Sequence, residues 1–236
     1  MNSIRAGMSF FSTIKAGGDF EDLTRNLYVM PAIGAILGAI MGLASYPISL
    51  YGLGFLAVVI YLSVEGINHI DGLSDFFDAY YAPEGKKLTA LKDLNTGTGG
   101  TVAVALYVTM LALLFSRIDP ARIIPAMVLA QTLAKQGMLH LMLTSRPLWQ
   151  GIVSEFMKHA KRRDHSSYFF TISVALLTST VFLQQTVLSL VTYILVFLVM
   201  KSYADRKFGG INGDVVGATN CVIFLAVTGV WACLPS

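Results

Sequence analysis

The stretch AVVIYLSVEGINHIDGLSDFFDAYYAP, residues 57–83, decides the fold. Hydrocarbon gives way to four carboxylates, Glu65, Asp71, Asp75 and Asp78, within fourteen residues. Such a passage marks a helix leaving a bilayer. The whole chain agrees, since 55% of its 236 residues are hydrophobic and only 13% are charged. A soluble domain carries about 25% charged residues. Six further apolar segments join the one that ends here. The seven fall at about 28–48, 49–66, 98–117, 121–144, 168–185, 187–204 and 214–234, near the length of about 17–25 residues that a bilayer demands. Backbone in lipid must satisfy its own hydrogen bonds, so the segments are read as helices. The expected fold is therefore all-α: a polytopic membrane protein of about seven spans, in a single transmembrane domain over residues 1–236. Residues 1–27 form an interfacial N-terminal segment, and 67–97 and 145–167 form cytoplasmic loops.

The basic residues set the sidedness. Arg5, Lys15 and Arg25 precede the first span, and Lys86, Lys87 and Lys92 follow the second. Arg146, Lys158, Lys161, Arg162 and Arg163 follow the fourth, and Lys201, Arg206 and Lys207 the sixth. These fourteen of seventeen fall on one side. Arg117 and Arg122 flank a turn on the other, and Lys135 lies inside the fourth span. The positive-inside rule then places the N-terminus in the cytoplasm and the C-terminus outside, in a cell membrane. A net charge of +3 is too small to argue for nucleic acid. Cys221 and Cys233 share one apolar segment and make neither a disulfide framework nor a metal spacing. MNSIRAGMSFFSTIKAGG reads as an interfacial helix and not as a cleavable signal, because its apolar patch is short and Lys15 interrupts it. Self-association is left open.

Asp71, Asp75 and Asp78 are spaced i, i+4, i+7, so one helix face carries all three if the helix continues past the interface. Stacked like charges need compensation, which Mg²⁺ supplies with one or two carboxylates plus waters and phosphate oxygens. Gly72 inside that face admits close approach of a backbone or ligand. Glu65 sits off the centre of the face, and His69 can serve as base, ligand or structural hydrogen-bonder. Two glycine turns lie on the same side. LKDLNTGTGGT, residues 91–101, brings Lys92 and Asp93 up to Gly97 and Gly99. FGGINGDVVGA, residues 208–218, brings Gly210 and Asn212 up to Asp214. Glycines that open a helix make an anion site, though a plain cap explains the first turn about as well. Lys135 and Arg146 add positive charge, and a buried Lys135 needs a partner in the carboxylates or a ligand phosphate. Carboxylates, glycine turns and cations on one face are the parts of Mg²⁺-dependent phosphate chemistry.

HIDGLSDFFDA, residues 69–79, resembles the HxDGLADxxDG signature of the cobalamin synthase (adenosylcobinamide-GDP ribazoletransferase) family. MSFFSTIKAGG, FEDLTRNLYVMPAIGAILGAIMGL, LKDLNTGTGGTVAVAL and FGGINGDVVGA resemble further blocks of that family, in order. The resemblance implies transfer of a cobinamide phosphate from adenosylcobinamide-GDP to the 3′-hydroxyl of α-ribazole or its 5′-phosphate. The implied products are adenosylcobalamin or its 5′-phosphate, and GMP, with Mg²⁺ required. It implies Asp71, Asp75 and Asp78 as metal ligands, with Asp93 and Asp214 completing the site; Glu65, by its position, either joins the metal ligands or only marks the interface. His69, Asp71, Asp75 and Asp214 become the catalytic candidates. Lys92, Gly97, Gly99, Lys135, Arg146, Gly210, Asn212 and Asp214 become the substrate-binding candidates. Ser74, Ala79, Leu94, Asn95 and Asn220 depart from the family pattern. Two other readings compete. A CDP-alcohol phosphotransferase would show an Ala-Arg pair after Asp-Gly, which is missing here. A divalent-cation transporter would set its carboxylates at mid-span.

Overall fold

The computed structural model describes residues 2–93, 95–160 and 162–234, without the side chain of Arg162. Leu94 and Lys161, both named above, lie outside the described residues. Twelve α-helices follow one another among them: α1 Asn2–Phe11, α2 Phe20–Thr24, α3 Met30–Leu50, α4 Ala57–Glu65, α5 Asn68–Tyr81 and α6 Lys87–Ala90, then α7 Thr98–Arg117, α8 Ile123–Thr144, α9 Ile152–His159, α10 Ser167–Ser179, α11 Leu183–Tyr203 and α12 Gly213–Cys233. Among the described residues the only extended pairing is an isolated parallel bridge between Pro147 and Ile211.

Helix α8 is the axis of the bundle. Most of it is buried, including Gln131, Thr132, Lys135 and Gln136. It meets α3 along a glycine stripe, Gly34, Gly38 and Gly42, spaced every fourth residue. A Cβ on Gly34 would stand 2.4 Å from the Gln131 carbonyl oxygen, and one on Gly38 2.4 Å from that of Met127. Small residues at this spacing let two backbones touch, which is how helices associate where lipid removes the hydrophobic drive.

Four helical stretches are long and apolar enough to cross a membrane: Leu27–Leu50, Thr98–Arg117, Leu183–Phe208 and Gly213–Cys233. The other expected spans differ from this pattern. Residues Gly54–Glu65 rise only about 18 Å at 1.5 Å per residue, short of a hydrocarbon core about 30 Å thick. The chain then turns at Gly66, whose φ of +78° suits a residue without a side chain, and α5 departs at 99°. The expected straight continuation of the second span is thus a broken helix. Its second half lies across one end of the bundle. Helix α8 is long enough, but its polar interior lowers its hydropathy. Helix α10 has 13 residues, and a turn before Leu183 starts α11 four residues earlier than expected. Residues 67–97 and 145–167, expected as loops, contain α5, α6 and α9.

The surface fits a bilayer. Helices α10 and α11 leave Phe169, Leu176, Leu177, Ile194, Leu195 and Val199 exposed. The segments that carry the fourteen basic residues gather at one end. There Lys201 Nζ donates to the Thr144 carbonyl (2.8 Å), Arg163 Nη2 to Asn26 Oδ1 (2.8 Å) and the Ile211 amide to the Arg146 carbonyl (2.8 Å). At the other end Arg122 donates to the Leu234 carbonyl (3.0 Å). Cys221 is buried, Cys233 is exposed, and both are free thiols.

Candidate functional site

Helix α5 crosses the first turns of α7 and α12. Glycines on all three helices make the crossing close. A Cβ on Gly100 would meet the Ser74 hydroxyl at 2.3 Å and the Ser74 carbonyl at 2.7 Å. One on Gly72 would meet the Asp214 Cα at 3.0 Å, and one on Gly217 the His69 Cα at 3.3 Å. The glycine turns therefore seat α5 on its neighbours. The anion at the first turn is the chain's own. Asp78 accepts hydrogen bonds from the Gly97 amide (2.7 Å) and the Gly100 amide (2.8 Å), one on each carboxylate oxygen. This charge-assisted pair fills the start of α7. Asp78, expected as a metal ligand, and Gly97, expected to bind substrate, are here each other's hydrogen-bond partners. Gly99 lies 3.0 Å, from an added Cβ, to the Phe77 carbonyl, so it too serves the crossing.

Asp75 feels the charge of its acidic neighbours. Burial, then the charges of Asp214, Asp71, Asp78 and Asp93, push its carboxyl up to about 6. Asp71 is exposed and Asp75 and Asp214 are half-buried. Asp214 accepts from Asn212 Nδ2, and Asn212 Oδ1 caps α12 at the Val215 backbone amide (3.1 Å). Asp93 accepts from the backbone and side-chain nitrogens of Asn95 (3.0 and 2.9 Å). Among the described residues no three histidine, cysteine or acidic side chains are grouped so that they could hold a metal ion.

Glu65 and Lys135 have a different place. Both are buried, at 2% and 0% exposure, and they form an ion pair beneath α5. Asn220 Nδ2 donates to Glu65 Oε1 (3.1 Å), Lys135 donates to Asn220 Oδ1 (3.0 Å), and Gln131 Nε2 donates to Glu65 Oε2 (3.3 Å). His69 Nδ1 stands 3.3 Å from Glu65 Oε1, but outside hydrogen-bonding geometry. A buried ion pair is tolerated only when further hydrogen bonds satisfy it, and Asn220 and Gln131 supply them. Glu65, expected as a metal ligand, and Lys135, expected to bind substrate, are here each other's ion-pair partners. Asn220 stands out in the sequence only as a departure from the family pattern, and Gln131 does not stand out at all. The signal that could have found Gln131 was its place one turn before the buried lysine.

A cavity of about 430 Å³ opens beside the carboxylates. Asn68, His69, Asp71 and Asp214 line one wall, Gly213 and Gly217 its floor. Phe10 and Phe11 of α1 and Ile152, Val153 and Phe156 of α9 line the other, backed by Met138 and Met142. Lys92, Arg146, Gly210 and Asn212 do not line it. Lys92 is exposed and sits 4.8 Å above the Trp149 ring. Arg146 is exposed, and Gly210 packs on its carbonyl, 2.4 Å from an added Cβ. A second cavity of about 500 Å³, lined by Ser49, Arg122 and Trp231, lies at the opposite end, away from the acids.

Residues 3–232 match the family model described as cobalamin-5-phosphate synthase. Two proteins of Archaeoglobus fulgidus, each named adenosylcobinamide-GDP ribazoletransferase, are 40% identical over 226 and 224 residues. These alignments cover 96% and 95% of this chain and 95% and 94% of theirs. A Thermococcus onnurineus protein of the same name is 31% identical over 218 residues, 89% of either chain. No solved structure matches the chain.

Proposed function

The chain belongs to the cobalamin-5-phosphate synthase family and is a transferase of cobalamin synthesis, and on that premise we propose its reaction in full. Adenosylcobinamide-GDP is the donor, and α-ribazole or its 5′-phosphate is the acceptor. The acceptor's 3′-hydroxyl attacks the phosphorus attached to cobinamide, and the phosphoanhydride bond to GMP breaks. Adenosylcobalamin or its 5′-phosphate forms, GMP leaves, and the hydroxyl proton passes to a base. The observation that carries this reading is the cavity lined by Asp71 and Asp214 beside Asp75, in a chain matched almost end to end.

Crowding of carboxylates around a half-buried Asp75 calls for a cation, so the residues fit Mg²⁺ held by one or two carboxylates and not by a protein cage. Asp71 and Asp75, one turn apart on α5, are the residues that would hold it. When bound it neutralises charge on the phosphate oxygens. The chain's own part is positional. The first turn of α12 lines the cavity with Gly213 and Asp214. Asp71 and His69 on the cavity wall are the groups within reach of the acceptor's hydroxyl proton. Glu65, Lys135, Asn220 and Gln131 hold the base of α5. The basic end of the bundle supports a site on the cytoplasmic face of the cell membrane.

The competing readings lose ground. The family match does not favour a CDP-alcohol phosphotransferase. A cation path would need an open acid at depth, whereas Glu65 is closed by Lys135. The test is detergent-purified protein with adenosylcobinamide-GDP, α-ribazole and Mg²⁺, followed by chromatography. The proposal expects cobalamin and GMP in equal amounts. Folded protein that releases neither would refute it.

A further inference from the structure

We propose that the cavity between α1, α9 and α5 is the acceptor's pocket, in which the flat benzimidazole base of the α-ribazole nucleoside lies on the apolar wall and its ribose faces Asp71 and Asp214. The inference rests on the reaction proposed above and adds which substrate this cavity takes and which residues select it.

Size is the first argument. At about 430 Å³ the cavity is at the small end of the range of about 300–1,000 Å³ for small-molecule sites. A single nucleoside fits. A corrin macrocycle bearing guanosine diphosphate does not, so the donor's bulk lies outside. Wall chemistry is the second. Phe10 and Ile152 are the accessible apolar side chains, with Ile152 58% exposed, and Phe11, Met138 and Phe156 back them from below. The rings of the wall pack on one another. Phe156 meets Phe10 edge-on at 5.3 Å and Phe20 at 5.2 Å, and Phe11 lies nearly parallel to His69 at 6.3 Å. A flat hydrocarbon-rich base gains stacking and burial on such a wall. Guanine does not suit it, because the donors and acceptors on its edge would face Phe, Ile and Met unpaired.

Charge is the third argument. Among the described residues no lysine or arginine lines the cavity, while Asp71 and Asp214 do. An uncharged nucleoside suits that lining better than the phosphates of a guanine nucleotide. With the base on α1 and α9, the ribose hydroxyls fall on the side of His69 and Asp71, where the attacking oxygen is needed.

The test uses full-length protein with Phe10→Ala, Phe10→Leu and Ile152→Ala. These positions are partly exposed, so the fold survives, which a melting curve verifies. Steady-state kinetics are run with each substrate varied in turn, and 5,6-dimethylbenzimidazole is added as an inhibitor. Loss of one stacked ring raises KM for α-ribazole about tenfold to a hundredfold, with partial rescue in Phe10→Leu. KM for adenosylcobinamide-GDP stays within about twofold, and the free base competes with α-ribazole only. An active wild type whose variants raise the donor KM instead, or leave both unchanged, overturns the acceptor pocket alone. A folded wild type inactive with every acceptor overturns the reaction itself and the pocket with it.

Discussion

Replacing Lys135 by methionine tests the reading of the buried polar group most sharply. The side chain is fully buried and makes two bonds, to Glu65 and to Asn220 Oδ1 at 3.0 Å. Methionine keeps its length and apolar stem and removes only the charge. Glu65 would then stand as an uncompensated carboxylate at 2% exposure, held by the neutral amides of Asn220 and Gln131. Breaking a buried pair from one side costs about 3–5 kcal/mol. For a chain of this length each kcal/mol moves the melting temperature by about 2–4 °C, so the fall should be about 6–20 °C. Glu65→Leu with Lys135→Met removes both charges and should recover most of it, because an apolar pair of similar volume is often neutral or better. The assay is thermal unfolding in detergent across the four-member cycle, with turnover measured beside it. If Lys135→Met melts with the wild type but raises KM for the donor, Lys135 binds substrate and the structural reading fails. A double variant no more stable than the single also refutes the argument.

Three further outcomes follow from the site. Asp78→Ala removes both acceptors from the Gly97 and Gly100 amides and should cost about 0.5–2 kcal/mol, as loss of a helix cap does, read as a lowered melting temperature. Gly100→Ala would drive a methyl onto the Ser74 hydroxyl and carbonyl, lift α5 from α7, and reduce turnover more than it reduces stability. Asp75 binds its proton more tightly folded than unfolded, since burial and four neighbouring carboxylates raise it to about 6. In EDTA the wild type should therefore gain stability as pH falls from 6 toward 4 and lose it as pH rises through 6. Asp75→Asn should flatten that dependence in a melting series, and Mg²⁺ affinity by calorimetry should weaken below pH 6 in the wild type only.

Much of the architecture was legible because lipid leaves few options. Long apolar runs became α3, α7, α11 and α12, and the basic residues marked the end where the acids gather. The i, i+4, i+7 spacing put Asp71, Asp75 and Asp78 on one helix face, and α5 is that helix. The break at Gly66 was hidden, because a glycine near an interface fits a straight helix as well as a turn until tertiary packing of α5 against α7 and α12 chooses φ of +78°. The stripe Gly34, Gly38, Gly42 was readable as a helix contact. Partner choice was not. Asp78 and the Gly97 amide are separated by 19 residues, Glu65 and Lys135 by 70, and nothing local tells a carboxylate that it will cap a helix or neutralise a lysine. Lys135 advertised the need for a partner, and Glu65 was among the acids that could meet it. Helix α9 is hard to tell from a loop in the sequence, because IVSEFMKH is short and carries its apolar residues on one face only.

The claim at the centre is that the acids around Asp75 perform the phosphate transfer. The direct measurement is turnover of adenosylcobinamide-GDP and α-ribazole by Asp75→Asn, with its melting temperature taken in the same detergent. The account predicts a variant at least as stable as the wild type, because one charge leaves a crowded cluster, with turnover down by a hundredfold or about 2.7 kcal/mol of transition-state stabilisation. A stable Asp75→Asn enzyme that releases GMP and cobalamin at the wild-type rate would contradict it.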